Sequence, residues 1–128
     1  MNKIIIPEGT REIDFNLVCD SLSSEDINEI YLPSSLEVIR ENTFFDFPNI
    51  KVINIPKRVR CIGKQAFFGL DELSSVTLHP DIEHIERHAF INCKNLVIRI
   101  VGTATLPSGW DKDFAVNVQG VEFVSEKL

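Results

Sequence analysis

Several features on which large classes of protein depend are missing from this chain. Its 128 residues include only 3 cysteines, an odd number that cannot pair completely within one chain. No Asn-x-Ser/Thr glycosylation acceptor occurs, and no apolar run approaches the roughly 18 residues of a membrane span. An apolar run of three residues, Ile4–Ile6, is too short for a signal-peptide core. We therefore expect a cytoplasmic protein; a chain trimmed of a signal sequence would look the same and would belong at the cell surface.

Positive charge is also scarce. The chain has 13 Lys and Arg against 19 Asp and Glu, a net charge of −6 at pH 7, whereas nonspecific binding to nucleic acid or anionic membranes needs a basic face. Glycine-rich phosphate-binding loops are absent too. The apolar fraction of 44% and the length suit one domain with a sizeable core. We expect neither binding to nucleic acid nor insertion into a membrane.

What the sequence does contain is an apolar pattern that repeats every 23 residues. One position of the pattern is occupied by Ile27, Ile50, Leu73 and Leu96, and five others recur at the same interval. A fixed apolar period of about 20–29 residues is typical of leucine-rich-repeat solenoids. Each unit of such a protein buries its apolar face against the next unit.

Each full repeat is predicted to hold two short strands and then a turn. The first strand alternates inward apolar and outward residues and ends at a proline; its three copies are Ile30–Leu32, Ile53–Ile55 and Val76–Leu78. The second strand has its copies at Leu36–Ile39, Val59–Ile62 and Ile82–Ile85. The turn pairs a small with a large residue, at Thr43-Phe44, Ala66-Phe67 and Ala89-Phe90. The three phenylalanines are expected to stack in the core.

These repeats resemble one known family. Residues 53–73 read Ile-x-Ile-Pro-x-x-Val-x-x-Ile-Gly-x-x-Ala-Phe-x-Gly-x-x-x-Leu, and residues 89–96 read Ala-Phe-Ile-Asn-Cys-Lys-Asn-Leu. Both segments are similar to the BspA-like class of leucine-rich repeats. The segment Leu106-Pro107-Ser108-Gly109-Trp110-Asp111, with Phe114, is similar to one that often closes such arrays in bacterial proteins.

The resemblance implies both a fold and a type of function. The fold is an α/β-class leucine-rich-repeat solenoid made mostly of short stacked strands and turns, with little helix and a cap at each end. The function is that of a noncatalytic module for adhesion or protein recognition. The resemblance implies no catalytic residues and no cofactor.

We expect a single domain over residues 1–128 with three parts. Residues 1–26 are an N-terminal cap with a degenerate repeat, because Ile4-x-Ile6-Pro7 matches the central repeats but lies three residues too far from the next unit. Residues 27–95 hold three 23-residue repeats. Residues 96–128 supply a last strand and a C-terminal cap. The apolar residues available for covering the ends are Phe15, Leu17, Val18 and Leu22, and then Trp110 and Phe114, which would share a face if helical.

Two outward rows are candidate sites for binding another protein. The strand face consists of Glu29, Tyr31, Val52, Asn54, Ser75, Thr77 and Arg99. The turn-side apolar row follows the core phenylalanines and consists of Phe45, Phe68 and Ile91. A contiguous exposed apolar row usually marks an interface, so this row, if exposed, would bind a partner or a second copy of the chain. The alternative is that the turn bends these side chains inward.

The middle repeat concentrates positive charge and offers an alternative function. A glycan or small anionic ligand could bind through Lys57, Arg58, Arg60 and Lys64. The register offers a structural explanation instead. Opposite charges would neighbour one another on strands about 4.8 Å apart, in the rows Glu37–Arg60–Glu83 and Ser35–Arg58–Asp81.

The remaining reactive side chains favour structural roles. The densest group of potential metal ligands is His79, His84 and His88 with Glu83 and Glu86. The register places the histidines at a strand end, on a strand and in a turn, so we expect no metal site.

The cysteines also lack the surroundings of a nucleophile. Cys93 belongs to an apolar row and is expected to be buried, Cys61 is expected to be half-buried beside His84, and Cys19 lies in the N-terminal segment. Thiolate catalysis needs an orienting group and an oxyanion site. The sequence offers neither, and we expect no enzyme.

Overall fold

The repeats stack into a β-solenoid of about five turns with almost no helix. The structure, a computed structural model, describes residues 3–18, 26–45 and 47–125. Its elements in chain order are β1 Lys3–Ile5, β2 Glu12–Ile13, α1 Phe15–Val18, β3 Glu29–Tyr31, β4 Val38–Ile39, β5 Phe44–Phe45, β6 Cys61–Ile62, β7 Phe67–Phe68, β8 Ser75–Leu78, β9 His84–Ile85, β10 Phe90–Ile91, β11 Val97–Val101, β12 Ala115–Val116 and β13 Gly120–Val124. The predicted fold class is confirmed.

The strands form three parallel columns that run along the solenoid. The first column contains β1 and β3, and then β8, β11 and β13. The second column contains β2, β4, β6 and β9, which a bridge from Ile85 to Trp110 extends. The third column contains β5, β7, β10 and β12. In the central repeats, partners such as Val38 and Cys61 are 23 residues apart. The sequence period is therefore the strand register.

The third column lies where the sequence predicted only turns. Phe44, Phe67 and Phe90 each begin a two-residue strand. Two residues before each of these strands the backbone has a positive φ, at Asn42, Gln65 and His88, with values of 60°, 56° and 60°. This left-handed residue bends the chain sharply enough for a new strand to start at once. The prediction that the three rings stack in the core is confirmed, since all three side chains are fully buried.

The first column is interrupted in the middle repeat, where the sequence predicted the strand Ile53–Ile55. The structure forms only one bridge there, from Val52 to Ser75. Ile53 and Ile55 still point inward, with 2% and 8% of their surface exposed. The alternation of apolar residues decides which side chains enter the core, but it does not guarantee a hydrogen-bonded ladder to the preceding strand.

The N-terminal segment continues the stack with a longer spacing. β1 pairs with β3 and β2 with β4, in both cases with partners 26 residues apart. Asp14 caps α1, because its Oδ1 accepts a hydrogen bond of 2.9 Å from the Leu17 amide. Of the apolar residues expected to cover this end, Val18 is buried, Phe15 and Leu17 are exposed, and Leu22 is outside the described residues.

The C-terminal segment also continues the stack. β11 pairs with β13, and β10 with β12. Trp110 and Phe114 are buried and in contact, with ring centroids 5.6 Å apart, but a turn and a bridge hold them instead of a helix. The Phe114 ring centroid lies 6.3 Å from that of Phe90, and the two rings pack edge to face. The order of small and large residues is reversed here, because Phe114-Ala115 replaces the Ala-Phe of the preceding turns.

Candidate binding surfaces

The strand face presents exposed side chains along the first column. Tyr31 and Val52 are 50% and 54% exposed. Asn54, Ser75, Thr77 and Arg99 are also exposed, and Glu29 is partly buried. The sequence-based selection missed Ile5, which is in register with Tyr31 and 64% exposed. Ile5 was missed because it lies in the degenerate first unit, which does not follow the 23-residue period. The 26-residue spacing between Ile5 and Tyr31 was the signal that could have identified it.

Charged neighbours hold Tyr31 in place on this face. Its hydroxyl donates a hydrogen bond of 3.1 Å to Glu29 Oε1, and Lys3 Nζ lies 5.9 Å from the ring centroid, within the range of a cation–π contact. The hydrogen bond to Glu29 raises the pKa of Tyr31, and the negative charge of Glu29 adds to this effect. Tyr31 is therefore a neutral, oriented aromatic side chain at physiological pH.

A groove opens on the strand face where the first column is interrupted. It has a volume of about 550 Å³, and its walls include Tyr31 on one side and Val52 and Asn54 on the other. Both walls are fully described, and no strand pairing joins Glu29–Tyr31 to residues 51–55. One edge of β3 therefore faces the groove without a neighbouring strand.

The turn-side apolar row is neither fully exposed nor fully buried. Its residues are adjacent in register across the third column, and the Phe45 and Phe68 rings stack at a centroid distance of 4.6 Å. Phe45 is 41% exposed, whereas Phe68 and Ile91 are half-buried. Val116 pairs with Ile91 and extends the row by one turn, which the irregular C-terminal spacing had hidden.

The basic residues of the middle repeat are exposed but do not converge on one site. Lys57 lines a cleft beside the carboxyl ends of β8, β11 and β13, and Lys64 lines a shallow depression beside Trp110. Arg60 Nε lies 3.6 Å from Glu37 Oε1. A ligand contacting all four predicted residues would have to span separate parts of the surface.

The predicted charge rows are present only in part. Glu37 lies between Arg60 and Arg11, whose Nε is 3.8 Å from Glu37 Oε2. In the described part of the chain, Arg60 forms no ion pair with Glu83, and Arg58 forms none with Asp81. Ser35 instead bonds the N-terminal unit, since its Oγ donates to the Thr10 carbonyl oxygen at 2.8 Å.

The histidines lie at three different places in the turn. His79 follows β8, His84 is in β9 and His88 is at a left-handed bend. Across residues 3–18, 26–45 and 47–125, no group of three or more His, Cys, Asp or Glu side chains is arranged to hold a metal ion. Within the same ranges, no helix has the length and apolar character required to cross a membrane.

Two of the three cysteines are within the described residues, and both are free thiols. Cys93 is fully buried, its Sγ is 3.2 Å from the Phe67 carbonyl oxygen, and burial raises the pKa of its thiol. A raised pKa disfavours the nucleophilic thiolate. Cys61 is partly exposed and pairs in register with His84. Cys19 lies outside the described residues.

Comparisons with known proteins agree with this architecture. The model for the BspA type leucine rich repeat region, in 6 copies, matches residues 1–101. No curated protein matches the sequence. A solved structure, the T. pallidum leucine rich repeat protein, is similar with a TM-score of 0.57 and 20% sequence identity. The similarity covers 94% of this chain and 59% of that one, so this chain spans about three fifths of the length of the solved protein.

The family match and the fold rest on the same residues. The matched region contains the Ala-Phe layers, the 23-residue register and the N-terminal unit with its longer spacing. At 20% identity the solved structure supports the fold alone. The family model covers residues 1–101 of 128, and the chain therefore belongs to the BspA-type leucine-rich repeat family.

Proposed function

We propose that this chain is a noncatalytic protein–protein interaction module whose strand face binds an extended segment of another protein. Its leucine-rich-repeat family suggests an interaction or scaffold role. The observation that carries the proposal is the interrupted first column. There, an edge of β3 faces a groove of about 550 Å³ instead of another strand.

Two features of the groove favour strand addition. An extended peptide can bond to an exposed sheet edge through its backbone, while pockets for alternate side chains provide specificity. The β3 edge supplies backbone donors and acceptors, and Ile5, Tyr31 and Val52 are large apolar side chains exposed by half or more. Aromatic side chains in such positions often dominate binding energy. The expected ligand is therefore an extended segment with apolar side chains at alternate positions.

Selection from a library of extended peptides, followed by titration, tests this proposal. We expect the double variant Tyr31→Ser/Val52→Ser to weaken the selected peptides by more than about tenfold, because it removes both apolar groups beside the groove. The matched control Leu17→Ser removes an exposed apolar side chain outside the strand face and should leave affinity unchanged. Methylation of the peptide amides that face β3 should also abolish binding.

The salt dependence separates this mode from ionic binding. Exposed charges are screened over about 8–10 Å at physiological salt, so a backbone and apolar interface should change little between low and high salt. Peptides that bind equally well to the Tyr31→Ser/Val52→Ser variant, or whose affinity falls steeply with salt, would refute binding at the groove.

Self-association through the turn-side apolar row is a second candidate function. It is favoured by the stacked Phe45 and Phe68 rings, with Phe45 41% exposed, and by Ile91 and Val116 beside them. Sedimentation of the wild type should then show a concentration-dependent oligomer that Phe45→Ser/Phe68→Ser converts to a folded monomer. A monomeric wild type, or unfolding of the double variant, would eliminate this candidate.

A further inference from the structure

A second concave site lies beside the carboxyl ends of β8, β11 and β13, away from the groove beside β3. This cleft has a volume of about 540 Å³, within the roughly 300–1,000 Å³ range of small-molecule sites. Lys57, His79 and Arg99 supply its nitrogen-bearing side chains, and they come from three different turns of the solenoid. Lys57 belongs to the basic residues of the middle repeat, and Arg99 belongs to the strand face.

The cleft forms where the last full turn departs from the repeat. Leu78 and Ile100 are paired, as are Ile85 and Trp110. Ile85 follows Leu78 by 7 residues in one turn, whereas Trp110 follows Ile100 by 10 residues in the next. The later turn therefore contains three additional residues. β11 extends to Val101, which pairs with Val124 of β13. This extension raises an apolar wall beside the bend at His79-Pro80.

Two of the residues that line the cleft, Lys57 and Arg99, carry a permanent positive charge. Lys57 forms no ion pair among the described residues. The Nε atom of Arg99 donates to Glu122 Oε1 at 3.2 Å, and both side chains are 56% exposed. That bond leaves the terminal nitrogens of the guanidinium available to a ligand. Asp81 is the one carboxylate among the lining residues, against the two permanent cations.

The other lining residues indicate which uncharged groups a ligand of this cleft would carry. Pro80, Val101 and Val124 supply apolar surface, and Thr77 supplies a hydroxyl at the side of Arg99, its partner in register. The lining residues include no Phe, Tyr or Trp, the large rings on which sugars usually stack, and His79 supplies the one flat ring among them. These surfaces match a ligand with a single anionic head and a short apolar body.

We propose that this cleft binds a small carboxylate that carries a short aliphatic group. Lys57 and Arg99 contact the carboxylate, and Pro80, Val101 and Val124 contact the aliphatic group. The same chemistry occurs in a free aliphatic acid and in the C-terminal residue of a peptide. This site is independent of the peptide groove, because the two share no lining residue.

Titrations monitored by amide NMR shifts test the ligand chemistry. Hexanoate should shift the resonances of Thr77, Arg99 and Val101, whereas acetate and hexan-1-ol, which each lack one half of the ligand, should bind at least about threefold more weakly. N-Acetylleucine mimics the C-terminal residue of a peptide, and its amide, which lacks the carboxylate, is the control. Tighter binding of N-acetylleucine than hexanoate would identify a peptide end as the source of the carboxylate, and the reverse order would identify a free acid.

Charge variants test the assigned roles. Lys57→Gln and Arg99→Gln should each weaken hexanoate binding by about three- to tenfold, the range for exposed charge-assisted contacts. Lys64→Gln removes an equally exposed cation outside the cleft and should have no effect. Glu122→Gln should strengthen binding, since it frees Arg99, and Asp81→Asn should do the same by removing the opposing charge. Shifts scattered over the surface, equal affinity for hexan-1-ol, or weaker binding by Glu122→Gln would overturn the proposal.

Discussion

The first and third columns of the solenoid are built from the same repeats but differ in continuity. The third column is a complete parallel ladder from β5 to β12, with the rings of Phe44, Phe67 and Phe90 stacked behind it. The first column is divided between β3 and β8, with one bridge at Val52. The inward residues of β5, β7, β8, β10 and β11 are buried in both columns, whereas Val121 and Phe123 of β13, at the last turn of the first column, are 37% and 44% exposed. They differ in what they leave accessible.

This difference assigns separate roles to the two columns. The paired backbone and packed rings of the third column fix the spacing of the turns. The first column leaves a strand edge and large apolar side chains accessible, and the carboxyl ends of its strands β8, β11 and β13 border the cleft around Arg99. Stability in repeat proteins depends on the interfaces between neighbouring turns. We therefore expect substitutions behind the third column to affect folding, and outward substitutions in the first column to affect binding.

The largest expected effect is that of Phe67→Ala. The Phe67 ring lies between the rings of Phe44 and Phe90, at centroid distances of 5.2 and 4.6 Å, and it is fully buried. Truncation of such a ring costs about 3–5 kcal/mol. Urea denaturation monitored by circular dichroism should show this loss or a chain that no longer folds.

The matched control is Phe68→Ala at the next position. Its ring stacks on Phe45 but is half-buried on the outer side of the same strand. We expect it to cost less than half as much as Phe67→Ala. Equal losses at the two positions would mean that the turn-side row belongs to the core, and the distinction between the two sides of the third column would fail.

The second prediction concerns the hydrogen bond that anchors Trp110 in the last turn of the solenoid. Trp110 Nε1 donates a hydrogen bond of 2.7 Å to the Ile82 carbonyl oxygen in a buried site. Trp110→Phe keeps an aromatic ring over Phe114 but leaves this carbonyl without its partner, which costs about 1–3 kcal/mol. Hydrogen exchange should show the loss first in β12 and β13. An unchanged free energy of unfolding would show that this bond does not hold the last turn in place.

The repeat register could be predicted from the sequence because the buried residues recur at the interval that separates neighbouring turns. Each inward residue from Ile27 to Leu96 is repeated at the interval that separates neighbouring turns, so the columns could be aligned without a structure. The third column was not predicted as strand. Its strands depend on left-handed bends at Asn42, Gln65 and His88, and although Asn and His are enriched at positive φ, Gln is not, so the three positions have no common residue signal.

The candidate sites were less predictable than the fold. The apolar alternation of Ile53 and Ile55 is intact, so nothing in that segment indicated the missing strand pairing beside β3. The cleft depends on the approach of Lys57, His79 and Arg99, which are far apart in sequence and do not share one row of the repeat. Only the insertion between Ile100 and Trp110 was visible as an irregular spacing.

The third prediction concerns the pH dependence of stability and tests the interior behind the third column. Cys93 Sγ–H donates to the Phe67 carbonyl oxygen, and burial raises the pKa of the thiol above its ordinary value of 9.0. The native state therefore keeps this proton at pH values where the unfolded chain has lost it. The free energy of unfolding should fall as the pH rises through 9.0, by at most about 1.4 kcal/mol per pH unit.

The Cys93→Ala variant isolates this contribution from that of other groups. Tyr31 also has a raised pKa but lies exposed on the strand face. Replacing Cys93 should flatten the profile near pH 9.0, whereas Tyr31→Phe should leave the slope there in place. If Cys93→Ala and the wild type lose stability in parallel, the buried thiol is not the titrating group.

The smallest expected effect lies in the charge row beside the second column, where the structure is less symmetric than the sequence predicted. Glu37 lies within 4 Å of both Arg11 and Arg60, at 3.8 and 3.6 Å, whereas Arg60 does not pair with Glu83 among the described residues. Exposed pairs of this kind contribute about 0.2–1 kcal/mol. A double-mutant cycle of Glu37→Gln with Arg60→Gln should therefore give a small coupling that disappears at high salt, and the cycle of Arg60→Gln with Glu83→Gln should give none. Coupling of equal size in both cycles would restore the symmetric row that the sequence register predicted.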